Sequence, residues 1–291
     1  MRLRRLTWMV LLVTILAGSA CSSSADDPTA PLTGTGSFAF APPGRKPITV
    51  FYAVGSGDLR DGRVVVVMHG TNRNARDYRD SWAALVEHRP WVVIAPEFDR
   101  EDFPGVSGYN LGGVVDESDD PVPQSEWTFS YIKPLVDQVR TRTGVAERTF
   151  DLFGHSAGAQ FVHRYLEFVP DAPVRRAVAA NAGWYTIPDP DVDYPYGLDN
   201  APRPVDLPAF LAQHLTVLLG SDDVEDDNLR QDDGASQQGS TRIERGEQFY
   251  RVGSEQARRR GLPFRWTLAV VPGVAHDHAL MATAAADVLA G

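Results

Sequence analysis

Cysteine is nearly missing from this sequence: 291 residues contain one, Cys21. A lone cysteine forms no internal disulfide, so no disulfide framework holds the fold. C-x-x-C, H-E-x-x-H, a Walker A run and a G-x-G-x-x-G turn after a strand are also absent. Zinc, nucleotide and redox cofactors are therefore not expected. Positive charge is the scarcer sign, with 28 Lys and Arg against 38 Asp and Glu and a net charge of −10. Binding to a phosphate backbone needs clustered Lys and Arg, so nucleic acid is not an expected partner. The apolar run at 6–16 is shorter than the roughly 20 residues that a bilayer-spanning helix needs.

That run sits in an export pattern. Arg2, Arg4 and Arg5 precede it, and the small residues Ala17-Gly18-Ser19-Ala20 lead into Cys21. The arrangement resembles a bacterial lipoprotein signal. It implies a signal peptide over 1–20, lipidation of Cys21 and attachment to a membrane through the lipid alone. An ordinary secretory signal cut near Ala20 is the alternative. Residues 21–36, rich in Ser, Thr, Pro, Gly and Asp, read as a flexible tether. The expected location is outside the cytoplasm, as a cell-membrane or envelope lipoprotein, with full secretion as the alternative.

Residues 37–291 read as one catalytic domain. The chain is 43% hydrophobic and 23% charged, and its length suits a single large core. Strands are predicted at 37–40, 48–54, 63–68, 91–95, 149–153, 175–180, 214–219 and 264–271. Helices are predicted at 76–88, 126–143, 159–168, 242–260 and 278–289. Val64-Val65-Val66-Val67 is the continuous apolar run of a strand buried on both faces. The alternation of strands and helices implies an α/β fold: a mostly parallel sheet, helices on both faces and functional loops at the strands' C-terminal ends. The segment 181–213 is short and rich in proline, so no large cap domain is expected.

The chemistry centres on Gly154-His155-Ser156-Ala157-Gly158, a G-x-S-x-G pentad between a strand and a helix. This is the sequence form of a nucleophile elbow, where glycines remove side chains that would collide as the chain reverses. A serine hydroxyl is a weak nucleophile and needs a base, which in turn needs an orienting acid. Strand 214–219 ends in Gly220-Ser221-Asp222-Asp223, and strand 264–271 is followed by Pro272-Gly273-Val274-Ala275-His276-Asp277-His278. The order Ser, Asp, His is therefore available on strand ends. Asp223 is the candidate acid, with Asp222 as the alternative, and His276 the candidate base ahead of His278. Acidic residues crowd 222–228, but the spacing lacks the Gly and terminal Glu of an EF-hand calcium loop. An oxyanion hole needs two backbone N–H groups, and Ala157 and Thr71, in the loop His69-Gly70-Thr71-Asn72, are the candidates. The His69 side chain is expected to brace that loop and His163 to be packed. Phe103, Tyr109, Trp184 and Tyr185 are candidate pocket aromatics.

Together the His69-Gly70 loop, the 154–158 pentad, Gly220 with Asp223, and His276 resemble an α/β-hydrolase serine esterase. The stretches His69-Gly70-Thr71-Asn72-Arg73-Asn74-Ala75, Gly154 to His163 and Asn181-Ala182-Gly183-Trp184-Tyr185 are similar to secreted bacterial hydrolases of the poly(3-hydroxybutyrate) depolymerase and feruloyl esterase kind. The resemblance implies ester cleavage through an acyl-enzyme on Ser156, without a cofactor, on a small or polymeric ester. A peptidase or amidase using the same triad, and a non-catalytic binding lipoprotein on the same fold, are the alternatives.

Overall fold

Val64 to Val67 set the centre of the molecule. β-Branched side chains favour an extended backbone, and successive residues point to opposite faces. Val64 and Val66 enter one core, Val65 and Val67 the other, and all four are fully buried. A strand apolar on both faces must be covered on both, which dictates three layers.

The computed structural model describes residues 29–225 and 229–291. The expected signal peptide and Cys21, like Asp226, Asp227 and Asn228, lie outside them. Eight strands form one sheet: β1 (Thr35–Phe40), β2 (Ile48–Val54), β3 (Arg63–Met68), β4 (Trp91–Glu97), β5 (Phe150–His155), β6 (Val174–Ala180), β7 (Leu215–Gly220) and β8 (Thr267–Val271). Their spatial order is β1-β2-β4-β3-β5-β6-β7-β8. β2 runs antiparallel to both β1 and β4, and every other neighbouring pair is parallel. One face carries α1 (Ala75–Val86) and α7 (His278–Ala290). There Trp82 meets Phe153 with ring centroids 5.2 Å apart. Side chains of this size each contribute about 1.5–3 kcal/mol on full burial. The opposite face carries α2 (Ile132–Thr143), α3 (Ala157–Phe168) and α6 (Arg242–Arg260), with two short helices, α4 (Leu207–Leu211) and α5 (Asp233–Ser236).

Several boundaries differ from the sequence reading, each for a physical reason. The helix predicted over 126–143 is broken into 3-10 turns at Gln124–Glu126 and Thr128–Tyr131, with α2 starting at Ile132. Pro134 has no N–H and clashes with an upstream helical carbonyl, so it fits only in a first turn. The body also begins before the expected boundary at 37. Leu32 is buried, its N–H donates to the Arg142 carbonyl at 3.2 Å, and Arg142 Nε donates to the Ala30 carbonyl at 2.7 Å. β8 starts at Thr267, three residues late, because Phe264 instead packs against Tyr250 and Trp266 stacks on Phe249. Between β6 and β7 the chain packs onto the body, with Trp184, Tyr185 and Ile187 buried and α4 its only helix among the described residues. Among the described residues no large cap domain stands over the sheet's C-terminal edge.

Candidate active site

The parallel pairing of β3 with β5 sets Met68 opposite Gly154. The chains leaving these two strand ends therefore meet. Ser156, between β5 and α3, has φ 58° and ψ −117°, a left-handed conformation that non-glycine residues rarely adopt. Its N–H donates to the Ala180 carbonyl at 2.9 Å, and its carbonyl accepts from Ala159 and Gln160 in the first turn of α3. A Cβ on Gly154 would stand 2.2 Å from the Gly158 carbonyl oxygen, and one on Gly158 would stand 2.2 Å from that of Met68. The two glycines thus let helix, elbow and neighbouring strand touch backbone to backbone. The Gly158 contact is with β3, a neighbour that the pentad alone does not reveal.

At the far side of β6, Asp223 is buried and Asp222 is exposed. Asp222 accepts from Ser221 Oγ at 2.7 Å and stays on the loop's outer side. His276 Nδ1 donates to Asp223 Oδ2 at 2.7 Å. With its proton on Nδ1, neutral imidazole keeps Nε2 as an acceptor. Buried Asn181 joins the strand ends that carry these groups. Its Oδ1 accepts from the Gly220 N–H at 2.8 Å and its Nδ2 donates to the Ala275 carbonyl at 3.3 Å. The other Asp223 oxygen accepts from Arg242 Nη1 at 3.1 Å, and the same nitrogen donates to the Glu225 carbonyl at 2.9 Å. Sequence reasoning missed both Asn181 and Arg242. Arg242 left one trace: it opens α6 at the first position inside the Thr241–Glu244 capping box, where the helix dipole disfavours a cation.

Ser156, His276, Ala157 and Thr71 line one cavity of about 640 Å³, a common size for a small-ligand site. A Cβ on Gly70 would lie 3.7 Å from Ser156 Cβ, so the 69–72 loop reaches the serine. His69 does brace that loop: Nδ1 donates to the Gly70 carbonyl at 3.0 Å and Nε2 accepts from the Phe98 N–H at 3.1 Å. Burial lowers its pKa to about 3, so it stays neutral. His163 is packed, with Nδ1 donating to the Ala159 carbonyl and Nε2 accepting from the Thr186 N–H. His278, half-buried, stacks on Tyr78 at 4.3 Å and makes no contact with Asp223. Of the four candidate aromatics only Trp184 lines the cavity. Phe103 and Tyr109 are buried against other rings because the long 98–113 loop folds back into the core, and Tyr185, after β6, stacks on Phe249 of α6. Among the described residues no group of acidic, His or Cys side chains is arranged to hold a metal ion.

Two solved structures are similar to this chain over most of their length. Poly(aspartic acid) hydrolase-1 from Sphingomonas sp. KT-1 is 41% identical with a TM-score of 0.84, covering 89% of this chain and 99% of that one. LpqC, a poly(3-hydroxybutyrate) depolymerase from Bordetella parapertussis, is 35% identical with a TM-score of 0.83, covering 89% of each. The chain belongs to the α/β-hydrolase superfamily of serine esterases. An S-formylglutathione hydrolase from Agrobacterium tumefaciens, 16% identical with a TM-score of 0.56 over 88% of this chain and 93% of that one, shares the fold. No family model and no curated relative matches the sequence.

In this α/β-hydrolase the Asp223–Arg242 pair is the most deeply buried ion pair at the cavity, with side chains 1% and 3% exposed. Removing one partner of such a pair leaves an uncompensated charge, which outweighs whatever the pair itself contributes. Arg242→Met should therefore lower the unfolding free energy by about 3 kcal/mol, read from the urea midpoint at unchanged m. An unchanged midpoint would show that water reaches Asp223 freely.

His69, His155 and His163 are buried, and burial lowers the pKa of each; for His155 the nearby His276 adds to the effect. Above pH ~6.5 these residues are neutral both folded and unfolded. Below it the unfolded chain takes up protons that the folded chain refuses, so stability falls with pH. The slope is ~1.4 kcal/mol per pH unit for each histidine, ~4 for the three together. Urea titrations at pH 7.5, 6.5 and 5.5 should show a loss that begins near pH 6.5. Constant stability across that window would contradict it.

Proposed function

We propose that this protein is a serine hydrolase that cleaves carboxylic esters through an acyl-enzyme, with Ser156 as nucleophile, His276 as base and Asp223 as the orienting acid. The observation that carries the reading is the 2.7 Å Asp223–His276 hydrogen bond at a cavity that also holds the strained Ser156. Asp223 keeps the His276 proton on Nδ1, so Nε2 accepts the Ser156 proton as Oγ bonds to the carbonyl carbon. The carbonyl electron pair moves to oxygen, where the N–H groups of Ala157 and Thr71 receive the negative charge. Collapse of this intermediate expels the alcohol oxygen, which takes the proton from His276. Water repeats the sequence: it gives a proton to His276, attacks the acyl carbon, and the acid leaves as Ser156 recovers its proton. Ala157 suits the oxyanion role because its N–H opens α3, where unpaired donors and the helix dipole favour negative charge.

A second reading has a specific observation behind it. The 41% identical protein is named for poly(aspartic acid), whose backbone links are amides, whereas the 35% identical one is named for a polyester. The same proton transfers serve an amide, with the amine nitrogen taking the proton from His276. Parallel assays on acyl p-nitrophenyl esters and on the matching p-nitroanilides separate the two. Ester turnover exceeding anilide turnover supports the first reading.

Ser156→Ala should lower kcat for p-nitrophenyl ester cleavage by at least ~10³-fold while leaving the fold intact, since the loss of a triad member removes most of the chemical step. Undiminished turnover by the Ser156→Ala protein, or failure of a fluorophosphonate probe to label Ser156, would sink the assignment.

For location we propose an exported lipoprotein, facing outside the cytoplasm and anchored through Cys21. Support comes from the Arg2-to-Cys21 pattern of basic residues, an apolar run and small residues ahead of a lone cysteine. Cys21→Ser should move the protein from the membrane fraction to the soluble fraction on cell fractionation. Persistence in the membrane fraction would refute the anchor.

A further inference from the structure

The charged side chains described at the Ser156 cavity are of one sign. Among the described residues no Asp or Glu lines it, whereas Arg230 and Arg242 both do. Arg242 is committed to Asp223 and the Glu225 carbonyl. Arg230 differs. Its Nε donates to Asp232, and its guanidinium lies over the rings of Trp184, at 4.9 Å, and Tyr196, at 5.4 Å. Tyr196 OH also donates to Asp232 Oδ1, at 2.5 Å, which fixes the carboxylate that fixes the arginine. The Asp232 carboxylate caps α5 as well, accepting from the Ala235 N–H at 3.0 Å. Among the described residues neither terminal nitrogen of Arg230 has a protein partner.

Such a guanidinium is preorganised. Its planar fork matches the two oxygens of a carboxylate, and little rotamer entropy remains to be lost on binding. An ion pair at a partly exposed arginine is weak when the side chain is free, but a stacked and hydrogen-bonded fork in a concave site is the favourable case. The whole chain carries −10 and repels anions at long range, so any preference for an anion must come from this local group.

We propose that Arg230 is an anion-recognition residue, and that the substrate cleaved in this cavity carries a carboxylate close to its scissile acyl group. The proposal rests on the reading of the cavity as an acyl-transfer site. It deepens that reading by naming the substrate class as carboxylate-bearing acyl compounds rather than neutral ones.

The test uses mono-p-nitrophenyl esters of succinate, glutarate and adipate, each against the neutral ester of equal chain length, butyrate, valerate and hexanoate. For at least one pair the wild-type protein should favour the anionic ester at least tenfold in kcat/KM. That ratio should shrink as salt is raised from 50 to 500 mM. Arg230→Gln should lower the ratio at least tenfold, and Arg230→Lys, which keeps charge without the fork, should retain part of it. An anionic preference missing at every chain length, or a ratio that Arg230→Gln leaves unchanged, overturns the proposal. Calorimetric binding of the succinate, glutarate and adipate dianions to the Ser156→Ala protein separates this outcome from failure of the catalytic reading. Binding that is lost in Ser156→Ala/Arg230→Gln keeps the anion site even if no ester turns over, and binding that ignores Arg230 removes it.

Discussion

The contact on which the site depends is the backbone approach of Gly158 to the end of β3. The Met68 carbonyl oxygen occupies the space that a Cβ at 158 would need. Because β3 and β5 are parallel and in register at Met68 and Gly154, the chain must reverse within a few residues to start α3 over the sheet. The reversal forces Ser156 into its left-handed conformation and leaves its side chain at the cavity. Strain of this kind costs on the order of 1–3 kcal/mol and persists only where the surroundings over-determine it. Here the surroundings are the fully buried strands β3 and β5 with Trp82 and Phe153 packed beneath them. The core's contribution to function is to hold a conformation that the local chain would not keep.

A second constraint acts across the sheet. Asp223 follows β7 and His276 follows β8, so each belongs to a different loop, and two loops drift unless tied. Asn181, at the end of β6 with φ 50°, ties them with one side chain that both accepts and donates. A Cβ on Gly220 would meet the Val274 carbonyl oxygen at 2.3 Å, so the two strand exits are also pressed together. The 2.7 Å hydrogen bond between acid and base is thus a consequence of strand-end geometry more than of the two side chains' own attraction.

What the sequence made legible follows from how local each signal is. The valine run, the strand–helix alternation and the pentad are patterns within a few residues, and periodicity exposes them. Asp223 and His276 were legible as strand-end residues in a required order, although only three dimensions show Asp222 turned outward. Asn181 and Arg242 were not legible, because their work is done on partners 39 and 94, and 19 residues away in the chain. The break at 124–131 was readable in principle from Pro134, but amphipathic spacing around it outweighed a single residue. The pocket aromatics failed for the opposite reason: large side chains in loops are as readily core as surface, and all four are buried, with Trp184 alone also lining the cavity.

The near-absence of cysteine gains its meaning here. Long loops carry the site, and a chain with one cysteine cannot staple them to one another with disulfides. This chain uses buried arginines instead. Arg73 donates to the carbonyls of Phe98, Phe103 and Gly105, joining the 69–74 loop to the long loop beside it. Arg164 joins α3 to Thr186 and to the Asn110 carbonyl, and Arg245 joins α6 to the Gly183 carbonyl. Arg242 does the same for Asp223 and Glu225. A guanidinium suits this use because it offers five donors in a fixed plane, so one side chain satisfies several carbonyls that folding has removed from water. Charge-assisted hydrogen bonds are stronger than neutral ones, and several per arginine are needed to offset the desolvation of the cation. The same chemistry explains why these cross-links converge on the cavity. Loops at strand ends expose carbonyls that no sheet or helix can satisfy, and those are the groups a buried arginine binds best.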